Sequence, residues 1–237
     1  MIKIAHAYGN LLNLYGSYVN PVMLARYLTE AGYDTSVGSF SIGSYIDISS
    51  CDLIYFGAGT ERRMLSALLD FRRFQPEFSQ YLAKGGRILA SGNSIAILGK
   101  TITDVSGRIY QGLSCIDIET TIKAKREYSE LIMTTPLSEQ PVIGSINSSL
   151  SISAGDETGM FRVIKDSSGR RRQEGVVKDG IYATESGGPL LIRNPYLLHR
   201  FSEITAGSEL PLNTSSWFSY AVEGYKNALA ALKRDLG

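Results

Sequence analysis

Reactive side chains are scarce in this sequence of 237 residues, which holds two cysteines, two histidines and one tryptophan. Cys51 and Cys115 cannot form a CxxC pair, and with only His6 and His199 beside them no Cys/His zinc cluster can be assembled. A disulfide-dense scaffold is excluded for the same reason, so a reducing, cytoplasmic setting is the expectation. Any reaction built on a cysteine nucleophile and a histidine base has to find both among these four residues. Excess charge is also missing: 24 Lys and Arg stand against 23 Asp and Glu, a net +1. That balance offers no global attraction to nucleic acid or to an anionic membrane, and neither is expected as a partner. The opening MIKIAHAYGN lacks a long apolar stretch, and no run of about 18 apolar residues occurs, so neither a targeting segment nor a membrane span is expected. Internal repeats and low-complexity tracts are absent as well.

What is present is material for a core, with 43% hydrophobic residues in a chain long enough for one large domain. The first hundred residues alternate strand and helix signals. Ile2–Ala5 reads as a short strand entering a Gly/Asn-rich loop. Asn20-Pro21 reads as a helix start, with asparagine as N-cap and proline in the first turn, where no N–H is needed. Val22, Leu24, Ala25 and Leu28 supply its buried stripe, and Gly32 stands where the helix should end. Strands are predicted at Thr35–Phe40 and at Leu53–Phe56, the latter continuously apolar as in a strand covered on both faces. Helical patterning fills Arg62–Leu69 and Glu77–Ala83 with an interruption at Pro76, and after Gly85-Gly86 come the strand RILA, the turn SGN and a short helix to Leu98.

Such alternation with short Gly-rich junctions predicts an α/β fold, an open and mostly parallel sheet flanked by helices in the flavodoxin-like manner. Ligands bind at the carboxyl ends of the strands in that architecture, which singles out GAGTE at 57–61 and SGNS at 91–94. The second half is β-rich: PVIGSINSSLSIS, FRVIKD and GVVKDGIYATE, with Asp179-Gly180 at a hairpin turn. Asn194-Pro195 repeats the helix-start signal before YLLHRF. From Ser216 a helix is predicted with Trp217, Tyr220, Ala221, Ala228 and Leu232 on one face. The domain is expected over 1–208, with 209–237 a C-terminal helix packed on it or on a partner.

The segments AYGNLLNLYGSYVN, CDLIYFGAGTE, RILASGNSIAILGK and GGPLLIRNP follow one another in a recognisable order. Across roughly residues 6 to 200 the chain resembles the class I glutamine amidotransferases of the cobyric acid synthase (CobB/CobQ) type. Within that type it resembles the glutaminase subunits of lipid II isoglutaminyl synthase. The resemblance implies a cysteine at a strand–turn–helix elbow attacking the glutamine amide, a histidine on a later loop as base, and an oxyanion held by backbone N–H groups of the Gly-rich junction. It implies ammonia passed to a Mur-ligase-like synthetase in peptidoglycan precursor modification, and no cofactor or metal.

Two departures stand out. Where the elbow pattern ILAICGG carries its cysteine this chain has Gly92, and where YLHGPLL carries its histidine it has Gly187. Glycine can neither attack nor accept a proton, so the resemblance implies a degenerate amidotransferase that binds or regulates a synthetase without hydrolysing glutamine. The rival reading is an active amidotransferase, for lipid II or cobyric acid amidation, or a serine hydrolase with a relocated nucleophile. Gly92-Asn93-Ser94-Ile95-Ala96 fits a loose G-x-S-x-A elbow, in which Ser94 is either nucleophile or, in the ordinary reading, a helix cap. Cys51 and Cys115 read as small buried hydrophobes, His6 as a residue at the correct sheet edge, and His199 as a partly exposed residue on a late helix. Gly57, Ala58 and Gly59 retain the path of an oxyanion-type loop, or merely permit a tight turn. Arg126 and Asn147 match family positions, the arginine either holding a ligand carboxylate, of glutamine or a related small molecule, or standing as a solvated charge. Arg170–Arg172 beside Gly169 reads as an exposed loop tip, with a phosphate or partner contact as its sharper alternative.

Overall fold

The computed structural model describes residues 1–169 and 171–236, so Arg170 of the arginine run lies outside the described residues. Strand β1 (Ile2–Ala7) leads through a long loop to helix α1 (Val19–Glu30) and β2 (Thr35–Phe40). β3 (Leu53–Phe56), α2 (Glu61–Phe71), α3 (Gln75–Ala83), β4 (Ile88–Ser91) and α4 (Ile95–Leu98) follow. Then come β5 (Thr101–Thr103), β6 (Ile109–Gln111), the long β7 (Ile118–Thr135) and β8 (Ser138–Ala154), and β9 (Phe161–Asp166). The chain ends with β10 (Gln173–Glu174), β11 (Val176–Lys178), β12 (Ile181–Thr184), α5 (Leu190–Arg193), α6 (Pro195–Ala206) and α7 (Ser216–Asp235).

Two sheets result. The first runs β11-β12-β4-β3-β1-β2 and is parallel except for β11, which turns back on β12. Asp179 and Gly180 form that hairpin turn with φ of +44° and +83°, the pair of positive values that matches the strand twist. The second sheet runs β10-β9-β7-β5-β6, with β8 paired antiparallel to β7. β3 shows why a continuous apolar strand belongs in the middle: Ile54 and Phe56 enter one core cluster with Phe71 and Phe78, while Leu53 and Tyr55 enter another with Leu24 and Phe201. The second cluster also takes Leu131, Met133, Val142 and Phe161 from the other sheet, so the two sheets share a core.

Several local expectations are corrected. α1 begins before Asn20, and that asparagine does not cap it; its amide is buried and donates to Tyr55 Oη at 2.8 Å and to the Gly188 carbonyl at 2.9 Å, while accepting Leu191 N–H at 2.9 Å. The α1 stripe is Leu24, Ala25, Tyr27 and Leu28, and Val22 is exposed. Pro76 does not separate two helices by a loop. It sits in the first turn of α3, which follows α2 after one 3-10 turn at 72–74. Asn194 likewise makes no side-chain cap: it bridges Ile143 N–H, the Ile143 carbonyl and the Leu190 carbonyl at 2.8 to 2.9 Å. Both asparagines find more buried partners across the fold than a local cap provides. On α7 the buried residues are Phe218, Tyr225 and Leu232, whereas Tyr220 stands 77% exposed. Trp217 lies beside them with its indole N–H on the Glu30 carboxylate and the Arg26 guanidinium over its ring.

Candidate functional site

The first sheet places its order β2-β1-β3-β4 so that the chain leaves β1 in one direction and resumes at β3 on the other side, the kind of switch point where α/β folds bind ligands. A cavity of about 240 Å³ opens at the carboxyl ends of these strands. Ala58 and Gly59 after β3, Gly92 and Asn93 after β4, and Glu185 with Gly187 after β12 form its inner wall. The β7–β8 hairpin adds Arg126, Tyr128, Ser145 and Asn147, and Tyr15 and Arg193 complete the mouth. The sequence-predicted positions Gly92, Gly187, Ala58, Gly59, Arg126 and Asn147 are therefore brought together at one cavity.

Gly92 sits at φ +72° immediately after β4, the left-handed conformation of a sharp strand-to-helix turn. A Cβ placed there would stand 2.6 Å from Ala58 Cβ and 3.2 Å from its Cα, so the alanine occupies the space a nucleophile would need. Gly187 is different, because a Cβ there meets only Tyr15 Cδ2 at 3.9 Å. Tyr15 itself carries φ +58°, an uncommon backbone for a tyrosine and one that clusters at functional sites.

The junction N–H groups already have partners. Asn93 folds its side-chain amide over the loop, accepting Gly59 N–H at 3.0 Å and donating to the Gly59 carbonyl at 2.8 Å. Ala58 N–H donates to Ser17 Oγ at 3.3 Å, Gly187 N–H to the Ser145 carbonyl at 3.0 Å and Gly92 N–H to the Ser186 carbonyl at 3.2 Å. A Cβ on Gly57 would collide with the Leu12 carbonyl, so close approach of the 11–12 backbone explains that glycine without a ligand. Asn93 was not singled out by sequence; its signal was only its place next to the glycine of the elbow.

Ser94 is fully buried, and its hydroxyl donates to the carbonyls of Phe56 (3.0 Å) and Ser91 (3.1 Å). It thus ties β3 to β4 and neither caps N–H groups, as expected, nor meets a histidine. His6 lies buried on β1 with Nε2 at 3.2 Å from the Leu12 carbonyl, its pKa lowered chiefly by burial. His199 on α6 is held by Tyr27 Oη at 2.7 Å. Its pKa is lowered, again chiefly by loss of water. Cys51 and Cys115 are half-buried against the core, and burial pushes each thiol up to about 11. Neither is a thiolate at neutral pH.

Arg126 is exposed at the surface and is paired there. Its guanidinium pairs with Glu61 and donates to the Asn147 carbonyl at 2.7 Å, and Glu61 also accepts the Ser149 hydroxyl at 2.7 Å. The arginine thereby ties the β7–β8 hairpin to the start of α2, and Asn147 contributes its backbone to that tie. Arg171 donates its N–H to the Asp166 carboxylate at 2.9 Å, closing the loop tip beside Gly169. Glu185, which sequence did not single out, has a buried Oε1 with no hydrogen-bond partner. Behind it Glu174 is buried, accepting Thr184 Oγ1 and Glu185 N–H at 2.6 Å each, and burial raises its pKa to about 7. Among the described residues no group of three His, Cys, Asp or Glu side chains could hold a metal ion, and no helix is long and apolar enough to cross a membrane.

Comparison with known proteins agrees with this architecture. Solved structures share the fold, among them a chain of PurLQS from Thermotoga maritima (TM-score 0.52, 13% identity, 96% of this chain and 99% of that one). A glutamine amidotransferase from Thermotoga maritima aligns with TM-score 0.51 at 10% identity over 99% of this chain and 96% of its own. By sequence the chain is 23% identical over 203 residues to the GatD subunit of the glutamine-hydrolysing lipid II isoglutaminyl synthase of Streptococcus pneumoniae, covering 84% of this chain and 78% of that protein. Residues 3–194 match the family model of the CobB/CobQ-like glutamine amidotransferase domain, and the chain belongs to that family.

Proposed function

We propose that this protein is a glutamine amidotransferase-like subunit that does not hydrolyse glutamine and that binds or regulates a Mur-ligase-like synthetase in cell-wall precursor amidation. The observation that carries the reading is the elbow. Gly92 holds the geometry of a nucleophile turn, yet Ala58 fills the volume its side chain would take. Three further features support it. Gly187 leaves the base position empty of a side chain, Asn93 consumes the Gly59 N–H that an oxyanion would need, and Ser94 is spent on two carbonyls. Loss of preorganised oxyanion donors alone removes roughly 10²–10³ in rate in enzymes that rely on them. The synthetase partner is inferred from the relative, a subunit of a lipid II isoglutaminyl synthase. Glutamate release from glutamine, measured on the purified chain alone and with the candidate synthetase, tests the proposal. The expected result is no release above buffer in either case, together with co-elution of chain and synthetase. Release that Ser94→Ala, Cys51→Ala or Cys115→Ala abolishes would overturn it in favour of a relocated nucleophile.

A further inference from the structure

β2 is the outer strand of the first sheet, and its free edge carries no protection against pairing. Ile2 N–H donates to the Asp34 carbonyl at 2.7 Å, and the register with β1 runs unbroken from Ile2↔Thr35 to Ala7↔Phe40. Alternate residues of a parallel ladder bond the neighbouring strand, so the backbone groups of Ser36, Gly38 and Phe40 are turned to β1. The N–H and C=O of Thr35, Val37 and Ser39 face the other way and take no partner among the described residues. Sheet edges are ordinarily kept from pairing by short length, a charge, a proline, a bulge or a covering segment. At the opposite edge of this sheet β11 spans only three residues and carries Lys178. In the second sheet β8 is covered from 186 to 194: Asn194 takes both backbone groups of Ile143, and Ser186 and Gly187 take those of Ser145. β2 has none of these devices. It is six residues long, and no charged residue or proline stands between Thr35 and Ile46. Val37, Ile42 and Tyr45 in that stretch are large apolar side chains exposed to solvent.

We propose that the β2 edge is the interface between two copies of this chain, paired antiparallel about a two-fold axis at Val37. That axis sets Val37 opposite the second copy's Val37, Thr35 opposite its Ser39 and Ser36 opposite its Gly38. The outward-facing residues then fall at the hydrogen-bonded positions of the antiparallel ladder, where each opposed pair exchanges both N–H···O=C bonds. Every free backbone group of Thr35, Val37 and Ser39 is satisfied on both copies. The self-complementarity that a two-fold interface requires is thus present in the strand itself. Asp34, the nearest charge, comes opposite Phe40, so no like charges are opposed. No residue of β2 lines the cavity at the strand ends, so the pairing uses none of its walls.

Sedimentation equilibrium of the full chain tests this. An interface built on one strand is small, so association is expected at micromolar concentrations, with a mass near twice 25.9 kDa at about 100 μM that falls on dilution. Val37→Lys opposes two ammonium groups at the axis and should weaken the association about tenfold or more. The register has its own test, which stands if Val37→Lys does not fold. Ser36 and the second copy's Gly38 form a non-hydrogen-bonded pair, with Cα atoms about 4.5 Å apart and within reach of a disulfide. A Cβ on Gly38 meets no atom within 4 Å, so a cysteine fits there. Ser36→Cys chains mixed with Gly38→Cys chains should cross-link under mild oxidation, whereas either variant alone, like the wild type, should not. A chain that stays monomeric at about 100 μM overturns the inference. So does a dimer that Val37→Lys leaves intact, or a mixture that fails to cross-link. A monomeric chain that loses a candidate synthetase through Val37→Lys would assign the edge to that partner and overturn the self-pairing.

Discussion

A single methyl group, the side chain of Ala58, fills the space beside the elbow glycine. Gly92 keeps φ +72°, but its would-be Cβ meets Ala58 Cβ at 2.6 Å, a distance that real side chains do not tolerate. Gly92→Cys alone is therefore expected to destabilise the fold by about 2–4 kcal/mol, the sum of overpacking and the cost of a β-carbon at positive φ. Ala58→Gly added to Gly92→Cys removes the collision and should recover more than half of that loss. Urea unfolding of the wild type, the single variant and the pair measures it. Additive effects, with no recovery in the pair, would show that Ala58 does not occupy the slot. Gly187 faces open space by contrast, so Gly187→His is expected to be tolerated. The nucleophile slot is closed by its neighbour, whereas the base slot is only vacant.

At the scale of elements, two buried asparagines join parts that lie far apart in the chain. Asn20 on α1 reaches the loop before α5, and Asn194 before α6 reaches the middle of β8. Each sits beside a proline at a helix start, where the local pattern reads as a cap. The pattern identified the helices correctly, but it cannot reveal that a side chain has a better partner some fifty or more residues away. Asn194→Ala strands the N–H and carbonyl of Ile143 inside the core and should cost about 2–4 kcal/mol with an unchanged denaturant slope, measured by urea unfolding. A loss below about 1 kcal/mol would mean that water or a neighbour replaces it. The same limit governs α7. Helical periodicity located it, yet which face is buried depended on Ile132 and Ile143 of the β7–β8 hairpin, against which Tyr225 and Leu232 pack.

At the scale of the whole molecule, the alternating first half and the β-rich second half look separable in sequence but share one core. Ile4, Leu53, Tyr55 and Leu89 of the first sheet pack in the same cluster as Leu131, Val142 and Phe161 of the second. Neither sheet can expose its face of that cluster without losing the other's cover, so scanning calorimetry is expected to show one cooperative transition with equal calorimetric and van't Hoff enthalpies. Two resolved transitions would show that the halves fold independently.

The sequence by itself determined the strand–helix alternation, the parallel sheet and the junctions at its ligand edge, because hydrophobic period and glycine punctuation are local properties. It also determined that glycine stands at positions 92 and 187, which composition had foreshadowed in the scarcity of cysteine and histidine. Only the tertiary structure decided what those absences mean. That Ala58 fills the slot, that Asn93 takes the Gly59 N–H and that Arg126 pairs with Glu61 are facts of contact between separate segments. No window of sequence contains both partners, and the chemistry of a site depends on which of its groups the scaffold has already satisfied.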